Sequence, residues 1–322
     1  MIPRISIIVA SYNYGRYIAE ALTSVQAQTF ADFECIILDD GSTDDSLGVI
    51  ERFLEDDRFR LICQRHGGQP RAKNRGIELA HGDYLAFLDA DDIWEPTKIA
   101  RQLALFDARP DLGVVFTQRR LIGVNGEARP GGDNPPPEPG VAAMYRQNFI
   151  CFSSAMLRAG VPEHVGRFDE RIGLAIDYDF WLRVARFYPI ACVDEPLVRY
   201  RVGHVNLSRR QLDRLHVALL IMERFRRQFD TPAQLGRETV SRAEAETFAH
   251  LGVVSRGYSA RSAVGWYARS LKAAPFFAEA WRGLASTLTP SVVRRAVRRL
   301  RGRDGAWEAL CHSPFNRPEA IL

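Results

Sequence analysis

The amino-acid sequence predicts an α/β protein with a mostly parallel sheet, helices on both faces of the sheet, and an all-helical C-terminal region. Short apolar segments rich in β-branched residues alternate with segments of helical periodicity through the first 110 residues. Three of these apolar segments end in polar or acidic residues, and beyond residue 208 the pattern is helical. We therefore expect two domains, residues 1–207 and residues 208–322.

Each predicted element follows from the spacing of its apolar residues. The predicted strands are residues 5–10, 34–38, 59–63, 84–88, 112–122 and 151–157. The predicted helices are residues 17–28, 44–53, 70–80, 96–106 and 177–187, and the glycine- and proline-rich residues 123–140 are expected to form a loop. Right-handed crossovers place the carboxyl ends of parallel strands at one edge, so the polar residues that follow the strands can converge there.

Composition excludes several classes of protein. A net charge of +4 over 322 residues does not indicate a protein whose main ligand is nucleic acid. The five cysteines are scattered and form no Cys-x-x-Cys pair, which favours a reducing compartment over a disulfide framework or a zinc site. The N-terminal residues lack a signal-peptide pattern, and no apolar run is long enough to span a membrane. We expect a cytoplasmic protein.

The acidic cluster after residues 84–88 is a candidate metal site. Asp89 and Asp91 lie one residue apart at a strand end, where their like charges repel unless a cation intervenes. Carboxylate oxygens suit hard cations such as Mg²⁺ or Mn²⁺. An acidic turn that caps the next helix is the alternative, and Asp92 is expected only to shape that turn.

Two further features can bind a nucleotide. Asp40 follows another predicted strand, where its carboxylate can accept hydrogen bonds from a base or ribose, although a role in a helix cap is the alternative. Gly67 and Gly68 precede a helix and can present backbone N–H groups to an anion. The nearby cations Arg71 and Lys73 can hold a diphosphate, or they can belong to a solvated basic helix.

A fourth feature is Asp177, at the start of a helix with an apolar face, where helix capping is the alternative to chemistry. Four segments occur in order along the chain: residues 6–13 (SIIVASYN), 38–44 (LDDGSTD), 87–92 (FLDADD) and 177–183 (DYDFWLR). In this order they resemble family 2 glycosyltransferases of the GT-A fold, of the type that builds bacterial cell-surface polysaccharides, over residues 4–208. Each segment alone is weak evidence for the family, but four segments with the family's order and spacing are specific evidence.

The resemblance implies a nucleotide-sugar donor, with uridine as the base. Ala10 and Tyr12 would lie beside the base, with Tyr12 stacked on it. Asp40 would bind the base, and Arg71 would reach the base or the diphosphate. The acceptor would be a glycan or a lipid-linked sugar.

The resemblance also implies a divalent cation, Mn²⁺ or Mg²⁺, and an inverting single displacement. Asp91 would ligate the metal, Asp89 would contact the ribose or the metal, and Asp177 would be the general base. Two positions depart from the family pattern. Ile176 stands where the family often has Glu, and His204 is shifted by one residue, so it is either a metal ligand or a structural or surface histidine.

The C-terminal region adds two expectations. Residues 263–284 loosely resemble tetratricopeptide-type repeats, with a simple helical hairpin as the alternative. Residues 292–303 combine six arginines with a narrow apolar stripe, which predicts a peripheral contact with the inner membrane; a solvated helix is the alternative. A non-catalytic sugar-nucleotide or glycan-binding adaptor is the alternative function.

Overall fold

Strands and helices alternate as far as residue 204, and the described chain beyond it is helical. The structure, a computed structural model, describes residues 2–132, 135–136, 138–204, 210–229 and 235–289. The chain divides into two compact units, the first comprising Met1–Met144 and Asn148–His204 and the second Tyr145–Gln147 and Val205–Leu322. The predicted domain boundary after residue 207 lies outside the described residues and stays a prediction.

The strands of the first unit form one mixed sheet. They are β1 (Ile5–Ser11), β2 (Phe33–Asp39), β3 (Phe59–Cys63), β4 (Tyr84–Asp89), β5 (Ile93–Trp94), β6 (Val114–Ile122), β7 (Ala128–Gly132), β8 (Met156–Arg158) and β9 (Ile190–Arg201). Their order is β3-β2-β1-β4-β8-β6-β9-β5, with β7 paired to β6. Strands β1 to β4 pair in parallel, as predicted, whereas β8 runs antiparallel to both β4 and β6.

The helices follow the predicted positions closely. They are α1 (Ile18–Gln26), α2 (Ser46–Glu51), α3 (Gln69–Leu79), α4 (Lys98–Ala108), α5 (Val141–Arg146), α6 (Val161–Val165), α7 (Ile176–Phe187), α8 (Gln211–Gln228), α9 (Arg237–Ser255), α10 (Ala260–Ala273) and α11 (Ala278–Leu288). The predicted α/β class and the helical C-terminal region are confirmed.

Strand β1 shows why the sheet is covered on both faces. Its alternate residues Ile7 and Val9 belong to a buried core that also contains Leu22 of α1. Ile8 points to the opposite face and is also buried, since it lies against Gly76 of α3. A strand that is covered on both faces carries a nearly continuous apolar run, as residues 7–10 of β1 do.

Two predicted elements differ from the structure. The expected strand 151–157 is replaced by a 3-10 turn, Phe152–Ser154, followed by β8. The turn forms because Ser154 donates both its backbone N–H and its hydroxyl to the carbonyl oxygen of Cys151. The expected loop 123–140 contains strand β7, which pairs with the end of β6.

In the second unit, helices α9, α10 and α11 pack around Tyr267, which is fully buried. A Cβ on Gly252 would lie 2.6 Å from the Tyr267 ring, and a Cβ on Gly283 would overlap the ring. These two glycines therefore allow the helices to approach the tyrosine. The tetratricopeptide-type repeat stays a prediction, since a shared packing residue is compatible with a simple helical hairpin as well.

The basic segment 292–303 lies outside the described residues, so its predicted membrane contact stays a prediction. Among the helices that the structure describes, none is both long and apolar enough to cross a membrane. The predicted cytoplasmic location also stays a prediction.

Helix α3 packs closely on the sheet through Gly76, and we predict that the Gly76→Ala substitution destabilises the first unit. The new methyl group would overlap Ile8 Cγ2 and lie 3.2 Å from Leu38 Cδ2. Overpacking of this kind costs about 1–3 kcal/mol, and the midpoint of urea unfolding should fall accordingly.

Gly48→Ala is the matched control because it is also a helical glycine of the first unit. Its Cβ would meet only the side chain of Asp45, which can rotate away. We expect this variant to unfold at the wild-type urea concentration or above it. A Gly76→Ala variant as stable as Gly48→Ala would contradict the close packing of α3.

Candidate active site

The register of the sheet brings three strand ends together. Ala10, near the end of β1, pairs with Leu38 on one side and with Asp89 on the other. Asp40 follows the neighbouring strand β2 and donates its backbone N–H to the carbonyl of Ser11. The predicted convergence of polar residues at the carboxyl edge is thus present in the structure, as expected for parallel strands.

Asp40 is almost fully buried and anchors the turn that precedes α3. Its carboxylate accepts hydrogen bonds from Gly67 N at 3.0 Å, Gly68 N at 2.8 Å and Gln64 Nε2 at 2.7 Å. The two glycine N–H groups, expected to face a bound anion, therefore donate to Asp40. Gly68 has a φ of +86°, in the region that favours glycine, which lets its N–H turn toward the carboxylate.

Tyr12 lies against a histidine that the motifs do not include. The rings of Tyr12 and His66 stack with centroids 3.9 Å apart, and His66 Nδ1 lies 2.9 Å from Asp40 Oδ2. The next residue, Asn13, has a φ of +59° and accepts a hydrogen bond from Thr43 N at 2.7 Å. This backbone conformation is uncommon for a residue other than glycine, and the contact with Thr43 stabilises it. Tyr12 is 39% exposed, so part of its ring remains accessible.

Arg71 and Lys73, the two residues expected to bind the diphosphate, differ in their surroundings. Arg71 is exposed at the start of α3 and lies over Gly67, where a Cβ would be 2.5 Å from Arg71 Cδ. Lys73 is buried, with its Nζ 2.9 Å from Asp89 Oδ1 and 3.5 Å from the ring centre of Phe152. Lys73 thus neutralises Asp89 in this structure, whereas Arg71 is accessible to a ligand.

Asp92 is fully buried and holds the acidic turn in place. It accepts hydrogen bonds from Ser153 Oγ at 2.5 Å and from Arg201 N at 2.9 Å. Burial raises the pKa of Asp92 well above its usual value, and the carboxylates of Asp91 and Asp89 raise it further. The expectation that Asp92 shapes the turn agrees with these contacts.

Arg201 braces the same turn from β9. Its side chain is fully buried and donates from Nε to the carbonyl of Asp91 at 2.9 Å and from Nη2 to Glu20 at 3.0 Å. Further bonds reach the carbonyls of Gly123 and Val124 at 3.2 Å. Five donors in a planar guanidinium suit arginine to join several segments in this way.

Asp91 contacts His204, although this histidine is shifted by one residue from its position in the family pattern. His204 Nε2 lies 2.7 Å from Asp91 Oδ2, and both side chains are largely buried. The ring of His204 packs near Tyr17, with centroids 5.1 Å apart, and edge-on to Tyr14. Burial and the neighbouring carboxylates raise the pKa of Tyr14, so this tyrosine stays protonated.

Asp91 and His204 form a donor set that suits a divalent cation. A carboxylate oxygen and an imidazole nitrogen lie side by side, and Mg²⁺ or Mn²⁺ commonly takes only one or two protein ligands together with substrate phosphates. Asp89 is engaged by Lys73 instead. Within the described ranges no group of three His, Cys, Asp or Glu residues could hold a metal by itself.

Asp177 lies in the first turn of α7 and is half-buried. It accepts a hydrogen bond from Asn148 Nδ2 at 2.7 Å. Ala175, which precedes the helix, has a φ of +54°, and such a conformation in a residue other than glycine occurs often at functional sites. Ile176 is buried where the family pattern often has Glu.

The segment 148–154 links Asp177 to the acidic turn. Asn148 contacts Asp177, while Ser153 accepts a hydrogen bond from Asp89 N at 3.1 Å and donates to Asp92. Trp94 donates to the carbonyl of Ser153 at 2.7 Å. Sequence motifs miss Asn148, Ser153, His66 and Arg201. For Ser153 a signal exists, since it and Ser154 are the two polar residues in the otherwise apolar run 150–157.

Comparison with known proteins shows the family of the chain. Residues 6–164 match the model of glycosyl transferase family 2. The chain belongs to this family. The matched range contains the first three of the four segments on which the resemblance rests, and Asp177 lies beyond it.

A chondroitin synthase from Escherichia coli is 33% identical to this family 2 chain over 218 residues, which cover 66% of the chain and 31% of the synthase. The chain spans about a third of the length of the first curated relatives that it matches. S. aureus TarS 1–349 in complex with UDP-GlcNAc has a TM-score of 0.57 at 17% identity, covering 88% of this chain and 90% of that chain.

The mannosyltransferase PcManGT from Pyrobaculum calidifontis, in complex with GDP-Man and Mn²⁺, has a TM-score of 0.56 at 18% identity. The match covers 94% of this chain and 89% of that chain. At these identities the likeness shows a shared fold, so the GT-A architecture is confirmed for the family 2 chain.

We predict that Ser153→Ala destabilises the protein more than Ser154→Ala does. Ser153 is fully buried, and its loss would leave the Asp92 carboxylate and the Asp89 N–H each short of a partner. Removing a partner from a buried polar group costs about 1–3 kcal/mol, to be measured by urea unfolding.

Ser154 is equally buried but donates only to the carbonyl of Cys151, at 2.7 Å. Its replacement by alanine should cost about 1 kcal/mol. Equal losses for the two variants would show that Ser153 does not support the acidic turn.

Proposed function

We propose that this chain transfers a sugar from a nucleotide-diphosphate sugar to an acceptor hydroxyl, with inversion at the anomeric carbon. One observation carries the proposal within the family: the Asp89–Asp91 turn and Asp177 are tied to opposite ends of the same short segment, 148–154. A transferase of this kind needs two such groups, one that holds the leaving diphosphate and one that activates the acceptor.

The donor site is proposed at the carboxyl edge of β1 and β2. Tyr12, stacked with His66, offers an aromatic face for a base, and Ala10 and Asp40 lie at the adjacent strand ends. Arg71, exposed beside Gly67, can reach the diphosphate. Lys73 acts through Asp89, since the two are paired. UDP is the proposed nucleotide, supported by the UDP-GlcNAc complex of TarS.

Asp91 and His204 are proposed to hold Mn²⁺ or Mg²⁺. When bound there, a divalent cation would neutralise the negative charge of the nucleoside diphosphate. Support comes from the donor set of the pair and from the Mn²⁺ complex of PcManGT. Asp89 is proposed to contact the ribose rather than the metal, because its carboxylate already pairs with Lys73.

Asp177 is proposed as the general base. It would take the proton of the acceptor hydroxyl while that oxygen forms a bond to the anomeric carbon and the bond to the diphosphate breaks. Attack from the face opposite the leaving group inverts the anomeric centre. The acceptor is proposed to be a growing glycan or a lipid-linked sugar, in keeping with the chondroitin synthase relative.

The direct test is release of nucleoside diphosphate from a panel of nucleotide sugars, with water as the acceptor, in Mn²⁺, Mg²⁺ or EDTA. We expect turnover of one UDP-sugar that requires metal. Asp177→Asn should lower kcat by about 10²- to 10⁴-fold, the usual contribution of a general base, with donor binding retained. Asp91→Asn should abolish metal-dependent thermal stabilisation by UDP.

Asp107→Asn is the matched control, since Asp107 is an exposed carboxylate paired with Arg4 on the surface. Its turnover should equal that of the wild type, because surface ion pairs contribute little. Metal-dependent UDP binding without turnover of any nucleotide sugar would contradict the enzyme proposal and favour a non-catalytic sugar-nucleotide-binding protein.

A further inference from the structure

The side chain of Asn148 donates a hydrogen bond to the side chain of Asp177. Its Nδ2 lies 2.7 Å from Asp177 Oδ2, a short distance for a hydrogen bond from an amide to a carboxylate. Asn148 follows α5 and belongs to none of the four motifs of the family resemblance. The contact joins residues 29 positions apart, so the fold and not local sequence creates it.

The orientation of the Asn148 amide is determined by its two partners. The backbone N–H of Ile150 donates to Asn148 Oδ1 at 3.2 Å. Since a backbone N–H can only donate and an ionised carboxylate can only accept, the amide oxygen must face Ile150 and the amide nitrogen must face Asp177. A turn of this type, from an asparagine side chain to the N–H two residues on, holds the side chain in one position.

We propose that Asn148 is a positioning residue for the catalytic base, a role that rests on the function proposed above. By binding Oδ2, Asn148 restrains rotation of the Asp177 carboxylate and leaves Oδ1 to accept the proton of the acceptor. The left-handed conformation of Ala175 and the first turn of α7 restrain the backbone of Asp177, whereas Asn148 restrains its side chain. Correct placement of a reacting group accounts for a large part of catalysis by enzymes.

The alternative is that Asn148 serves only the fold. Asn148→Asp separates the two roles because the substitution keeps the shape of the side chain and an oxygen to accept from Ile150 N. It removes only the donor that faces Asp177 and places a second carboxylate there. Asn148→Ala removes the hydrogen bonds to both Asp177 and Ile150. This variant serves as the test if repulsion between the carboxylates at positions 148 and 177 prevents folding of Asn148→Asp.

The experiment is a double-mutant cycle on the full-length protein, with the UDP-sugar turned over fastest by the wild type and water as the acceptor. We expect Asn148→Asp to lower kcat by about tenfold or more, because it removes one hydrogen bond to a charged group and adds a like charge beside it. The KM of the donor should change by less than about twofold. In the Asp177→Asn background the same substitution should lower kcat by less than about twofold, because two residues that act as one unit are not additive.

Asn74→Asp is the matched control. Asn74 is a buried asparagine of α3 that bonds Phe168 through both ends of its amide, at 2.9 and 3.0 Å. Its substitution should change kcat by the same factor in the wild-type and Asp177→Asn backgrounds, since it does not contact Asp177.

The outcomes separate the two proposals. If Asp177→Asn leaves turnover unchanged, the assignment of the base fails, and the role of Asn148 fails with it. If Asp177→Asn lowers kcat as expected but Asn148→Asp lowers it by equal factors in both backgrounds, only the positioning role is overturned. A rise in KM at unchanged kcat for Asn148→Asp would also overturn it, because that result indicates donor binding.

Discussion

Repulsion between the three carboxylates of Asp89, Asp91 and Asp92 is the constraint on which the rest of the site depends. These three carboxyl groups lie within four consecutive residues at the end of β4. Each carboxylate has its own partner: Lys73 binds Asp89, His204 binds Asp91, and Ser153 binds Asp92. Without such partners the turn could not be held in a buried place, because burial disfavours the charged form of each group.

These partners come from distant parts of the chain, so the same contacts hold the acidic turn in place and join separate elements of the fold. Lys73 is on α3, Ser153 is in the 3-10 turn before β8, and His204 follows β9. Arg201 binds the backbone of the turn, because its Nε donates to the carbonyl of Asp91. Strand β8, which is antiparallel to β4, follows Ser153, and strand β9, which pairs in parallel with β6, carries Arg201 and leads to His204.

The segment 148–154 connects Asp177 to the acidic turn. At one end it contacts Asp177, and at the other it contacts Asp89 and Asp92. These contacts tie the proposed base to the proposed site of the leaving diphosphate. The close turn at Phe152–Ser154 supports these contacts, because the Ser153 carbonyl is bonded to Trp94 and Ser154 is bonded to Cys151.

Local sequence patterns were enough to predict the alternation of strands and helices, the parallel pairing of β1 to β4, and the candidate residues Asp40, Asp89, Asp91 and Asp177. These follow from local periodicity and from residues adjacent to strand or helix ends, which are properties of short segments. Which side chains pair with one another follows from the tertiary structure. His204 reaches Asp91 although its spacing departs from the family pattern, Lys73 neutralises Asp89, and Asn148 meets Asp177. Such pairings depend on how strands far apart in the chain come side by side, which local patterns do not encode.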